Sequence, residues 1–158
     1  MSQKDEQNAD ISSQAEAPEE GATSLGGRSF LTDDEIRNVV HEGKSGYLIR
    51  VCLTSYRSLP LSCIEKIELK VDGESINPDR MRFILNGYSH KLDELLKLRH
   101  IFWYILDYAD LFVESQEPLP AGEHLVEGAL VTVEPYMTAG RFSHYNPSKK
   151  RLAVATDL

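Results

Sequence analysis

Cysteine is scarce in this chain: 158 residues contain two, Cys52 and Cys63. They are too few, and wrongly placed, for a zinc site, and a lone pair in a reducing compartment stays reduced. Both are therefore read as small core side chains. No apolar run is long enough to span a bilayer, and the N-terminus lacks the apolar stretch of a signal peptide. These absences point to a cytoplasmic protein with no membrane partner. Catalytic signatures are missing as well: there is no G-x-S-x-G, P-loop, H-E-x-x-H or C-x-x-C. His41, His90, His100, His124 and His144 are scattered without metal-ligand spacing. The one basic cluster, Lys149-Lys150-Arg151, falls short of the cationic face that nucleic acid requires.

What is present is unevenly distributed. The formal net charge is −8, and residues 1–27 hold six acids against one base. The rest of the chain is near neutral, so the acidic balance names no partner. Residues 1–27 are rich in Gln, Ser, Glu, Asp and Ala and cannot bury enough apolar surface to offset chain entropy. They are expected to form a disordered acidic tail, with one folded domain over 28–158.

The folded part reads as strands and turns. Ile49, Val51 and Leu53 alternate with Arg50, Cys52 and Thr54, and Ile67, Leu69 and Val71 alternate with Lys66, Glu68 and Lys70. Period-two alternation marks half-buried strands. Between these runs lies a proline-stiffened connector, Tyr56 to Ser62. Residues 32–40 fit either a capped helix start or a turn into a strand. Asp72-Gly73 and Asn86-Gly87 are tight-turn signals around the strand Arg80–Leu85. Leu92, Leu95 and Leu96 share one helical face in a short segment. Ile101-Phe102-Trp103-Tyr104-Ile105-Leu106 has no polar alternation, so it is expected to be a strand buried on both faces or covered by something. Glu123–Tyr136 is the longest strand candidate, with Leu125, Ala129, Val131 and Val133 on one face. Residues 138–147 look irregular, and Arg151–Ala155 forms a last strand. Seven or eight short strands at this spacing predict an all-β fold, an antiparallel β-sandwich with one short helical segment.

Tyr, Trp and Arg concentrate at the energetic centres of interfaces. Tyr56 and Arg57 on the connector, Trp103 in the apolar run and Tyr136 at a strand end are the candidate partner-binding residues; no catalytic or metal-binding residue is assigned. Two other readings stand beside an interaction subunit. One is a free-standing glycoside-binding module that stacks sugars on Trp103, Tyr104, Tyr136 and Tyr145. The other is a cupin-like metal site around His124 and Glu134.

Several segments, in order and spacing, resemble one family. They are Leu31-Thr32-Asp33-Asp34-Glu35-Ile36-Arg37-Asn38-Val39, Gly46-Tyr47, Ser55-Tyr56-Arg57-Ser58-Leu59-Pro60-Leu61-Ser62-Cys63-Ile64-Glu65, Val71-Asp72-Gly73-Glu74, Trp103-Tyr104-Ile105-Leu106-Asp107, and Gly122-Glu123-His124 before Pro135-Tyr136. They are similar to the small (beta) subunit of bacterial C-glycoside deglycosidases over roughly residues 30–136. The resemblance implies a non-catalytic β-sandwich subunit in a hetero-oligomer with a larger TIM-barrel-type alpha subunit. It implies no cofactor in this chain and a divalent metal, manganese, in the partner. The implied reaction is lyase-type cleavage of the carbon–carbon bond between a 3-oxo sugar and an aromatic, flavonoid-type aglycone. The small subunit would stabilise the alpha subunit and shape its active-site mouth, with the connector as the docking edge.

Overall fold

The computed structural model describes residues 28–133 and 143–156. The acidic tail and Tyr136 lie outside them. The strands are β1 (Arg37–His41), β2 (Lys44–Cys52), β3 (Leu59–Pro60), β4 (Ile64–Val71), β5 (Glu74–Ser75), β6 (Met81–Leu85), β7 (Tyr88–Lys91), β8 (Phe102–Trp103), β9 (Tyr108–Glu114), β10 (Glu123–Val133) and β11 (Ser143–Ala153). A five-stranded sheet in the order β1-β2-β9-β6-β7 packs on a four-stranded sheet in the order β11-β10-β4-β5, and β3-β8 form a short ribbon. All strand pairs are antiparallel. This is the all-β sandwich expected from the strand spacing.

Turn chemistry is as the sequence implies. Glu42-Gly43, Asp72-Gly73 and Asn86-Gly87 all have positive φ at both positions, the two-residue geometry that matches strand twist. Residues 32–40 take the turn reading: Asp34 N–H donates to Thr32 Oγ1 at 3.2 Å, and β1 follows. The two alternating runs around the connector fall in different sheets, β2 in one and β4 in the other. The connector is thus the crossover that closes the sandwich.

Tyr47, Ile49 and Val51 of β2, Leu111 and Val113 of β9, and Met81, Phe83 and Leu85 of β6 face Ile67, Leu69 and Val71 of β4 and Val126 and Leu130 of β10 in one core. Burial pushes the Tyr47 phenol up to about 12. Cys52 and Cys63 are both buried and are not joined in a disulfide.

Four expectations need correction. On β10, Leu125, Ala129 and Val131 do not face the core; Val126 and Leu130 do, and only Val133 of the expected row joins them. The core-facing row contains Gly128, where an added Cβ would stand 3.2 Å from the Phe30 ring. Phe30 fills the place of a side chain, and the missing side chain disguised the alternation. The segment at 92–97 is a 3-10 turn, Leu92–Lys97. With three residues per turn, Leu92 and Leu95 stack and Leu96 points out to solvent. Ser143–Pro147 is not irregular but forms the first half of β11. The apolar run 101–106 is not a buried strand, as described next.

Candidate partner-docking surface

The connector and the loop from Leu98 to Tyr108 form one end of the sandwich. Main-chain bonds zip them together. Leu59 and Pro60 pair with Trp103 and Phe102. Leu61 N–H donates to Ile101 O at 2.8 Å, and Ser62 N–H to Leu98 O at 3.1 Å. Ile105 N–H donates to Ser58 Oγ at 2.8 Å. The Arg28 guanidinium donates to both Leu53 O and Ile105 O, tying the end of β2 to the loop from the N-terminal side.

Trp103 anchors this arrangement. It is 0% exposed, its Nε1–H donates to Asp107 O at 2.8 Å, and its ring meets Phe83 edge-on with centroids 5.1 Å apart. Its indole therefore holds the loop from beneath, inside this chain's own core and not on its surface.

Only two residues of the run 101–106 form a strand, because the tight bond from Asp107 N–H to Tyr104 O bends the chain away at once. The remaining apolar side chains turn outward. Leu106 is 80% exposed, Tyr104 57% and Tyr56 56%, and Ile101, Phe102 and Tyr108 are also exposed. The Phe102 and Tyr104 rings stack at 6.1 Å. The Arg50 guanidinium lies 5.6 Å from the Tyr108 ring centroid and 3.3 Å from Asp110 Oδ1. Large exposed apolar patches on proteins often mark binding surfaces. Tyr56 and Arg57 sit at the rim of this patch, exposed, beside the Ser58 that holds Ile105. Sequence reading missed Ile101, Phe102, Leu106 and Tyr108. The signal was the unbroken apolar run, whose composition is the same whether a strand or a partner covers it.

The other candidate chemistries do not assemble among the described residues, which exclude Glu134 of the cupin-like reading and Tyr136 of the sugar platform. His124 has both ring nitrogens committed, Nδ1 to Asp72 Oδ2 at 2.6 Å and Nε2 to Pro120 O at 2.8 Å. The carboxylate beside it, then the Pro120 carbonyl, hold its pKa above the ordinary value, and the same bond holds Asp72 below its own. An imidazole so engaged is not a free ligand. Among the described residues no three His, Cys, Asp or Glu side chains converge on a metal position. The sugar-stacking platform also comes apart: Trp103 is buried, and Tyr145 stands on β11, away from Tyr104.

Residues 27–136 match the family model described as C-glycoside deglycosidase beta subunit. The 3'-dehydrocarminate deglycosidase beta subunit of a Microbacterium species is 34% identical over 113 residues, covering 70% of this chain and 85% of that protein. A C-glycoside deglycosidase beta subunit of Arthrobacter globiformis is 27% identical over 105 residues, 66% of this chain and 76% of its own length. One from Microbacterium trichothecenolyticum is 33% identical over 93 residues, 56% of this chain and 67% of its own. The matched span contains both the connector and the apolar loop. The chain belongs to the C-glycoside deglycosidase beta subunit family.

Proposed function

We propose that this chain is the non-catalytic subunit of a heteromeric C-glycoside deglycosidase and that its exposed loop and connector seat the larger subunit. The match across residues 27–136 carries the reading. The apolar end built on Trp103 supports it, since that surface has the composition of an interface core and no covering element among the described residues.

The partner in this reading is a metal-dependent barrel-type alpha subunit, and the complex is a bacterial, cytoplasmic lyase. Its substrate is a 3-oxo C-glycoside with an aromatic aglycone of the flavonoid type. One relative is named 3'-dehydrocarminate deglycosidase beta subunit. A base takes the acidic proton beside the ketone, the electrons of that C–H bond become a new sugar C=C bond, and the aglycone leaves with the C–C electron pair and takes up a proton at the departing carbon. A divalent metal, manganese, held by the alpha subunit, supplies charge stabilisation there. The described residues of this chain offer it no ligand set. Their contribution is to bind and stabilise the alpha subunit and to frame the mouth of its site.

The test is co-expression with the candidate alpha subunit, an isomerase-like barrel from the same genome, followed by an assay on a 3-oxo C-glucoside. The pair is expected to co-purify and release the aglycone, with neither chain active alone. A pair that neither associates nor cleaves overturns the reading.

A further inference from the structure

One margin of the four-stranded sheet is unfinished. β5 pairs only with Lys70 and Val71, and Ile76 N–H donates to Leu69 O at 2.9 Å. From Ile64 to Glu68, no described strand stands beside β4 on that side. The ladder on the other side decides which groups are left over. Asp72 N–H donates to Leu125 O at 2.8 Å, and Lys70, Glu68 and Lys66 stand opposite Glu127, Ala129 and Val131. Antiparallel alternation then directs the N–H and C=O of these three lysine and glutamate residues to β10. Those of Ile67, and the N–H of Leu69, turn to the open margin.

A groove of about 600 Å3 is lined by Lys66, Glu68 and Tyr145 on the sheet and by Ile76, Pro78, Leu92 and Leu95 beside this margin. The long outer margin of β11 differs in kind. It carries Pro147 and the run Lys149-Lys150-Arg151, features that keep a second chain from pairing. Only a main chain presents carbonyls and amides at the spacing of an open strand, so the recognised chemistry is an extended polypeptide with apolar side chains at alternate positions. The margin also neighbours the candidate docking surface along the chain: Leu61 and Ser62, just before β4, donate their amides to the Ile101 and Leu98 carbonyls of the exposed loop.

We propose that an extended segment of the alpha subunit adds to β4 as a further strand of the four-stranded sheet. Its backbone pairs with Ile67 and its apolar side chains enter the groove beside Leu92. The inference rests on the subunit reading above and specifies how the two chains join.

Hydrogen exchange on the full chain, alone and in complex with the candidate alpha subunit, tests it. The Ile67 amide is expected to slow by at least about tenfold on assembly, while amides of the outer β11 margin stay unchanged. Leu92→Glu is expected to weaken association at least about tenfold, and because Leu92 packs against the core the Tm of the isolated variant is measured beside it. Should that variant not fold, exchange at Ile67 in the wild-type complex still decides the matter. A complex that forms with Ile67 exchange unaltered overturns strand addition and leaves the subunit reading standing. Absence of any complex removes both. Protection of Ile67 by self-association of the chain alone would make a second copy the occupant and overturn the assignment.

Discussion

His124 Nδ1 lies 2.6 Å from Asp72 Oδ2, joining two segments that are fifty-two residues apart in the chain. Asp72 sits in the β4–β5 turn at φ 51, and its other oxygen accepts the Leu125 N–H at 3.0 Å. The pair fastens that turn to the start of β10. With Pro120 O on Nε2, both ring nitrogens face acceptors, and only the imidazolium donates to both.

Stability should therefore depend on pH through this pair. His124 is raised from an ordinary value of 6.5, so its contribution is full below 6.5 and is lost as pH climbs through the raised value. Asp72 is lowered from 3.8, so its contribution is full above 3.8 and is lost as pH falls through the lowered value. His124→Gln should cost about 1–2 kcal/mol near pH 6, and the gap to wild type should narrow as pH rises toward about 9. Urea titrations across that range check this. A gap that does not change with pH would refute the imidazolium assignment.

Gly46 tolerates no side chain. A Cβ there would lie 2.1 Å from Val113 O and 2.6 Å from the Phe112 ring. Gly46→Ala should part β2 from β9 and cost about 3 kcal/mol or more, above the usual range for overpacking because a backbone carbonyl is in the way. The urea midpoint of the variant measures it. A stability within about 0.5 kcal/mol of wild type contradicts the close approach.

Trp103 supports the docking loop from the core. Trp103→Ala should cost about 3–5 kcal/mol, and Trp103→Phe about 1–2 kcal/mol, chiefly through loss of the bond to Asp107 O. In Trp103→Phe, amide exchange should quicken over residues 101–107 more than in β2 or β9. Uniform quickening would mean the indole serves the whole core equally.

Leu106, the most exposed apolar residue of the loop, should behave in the opposite way. Leu106→Glu should leave the isolated chain within about 0.5 kcal/mol of wild type and weaken alpha-subunit binding by about tenfold or more. Calorimetry on the purified chains reads the second effect. Unaltered binding would move the interface elsewhere.

Much of this was open to reading from local chemistry. Each two-residue turn carries its glycine, and the alternation of Ile67, Leu69 and Val71 assigns their face, because turn geometry and strand period are properties of neighbouring residues. The apolar composition of the run 101–106 was visible, and so was the place of Tyr56 and Arg57 on the connector.

What local chemistry could not carry were choices made between distant segments. The inward row of β10 depends on Phe30 lying over Gly128, a contact across ninety-eight positions that leaves no trace in the β10 pattern. Trp103 is buried and Leu106 exposed because Asp107 bends the chain back onto Tyr104 and Trp103, although both residues look equally apolar in the sequence. The motifs around Asp72 and His124 are separately unremarkable and become one ion pair only when β4 and β10 align. The sequence by itself determined the strands, the turns and the family, which depend on residue order. Tertiary structure decided which apolar side chains the core could accept and which were left facing outward, because that depends on the space between two sheets.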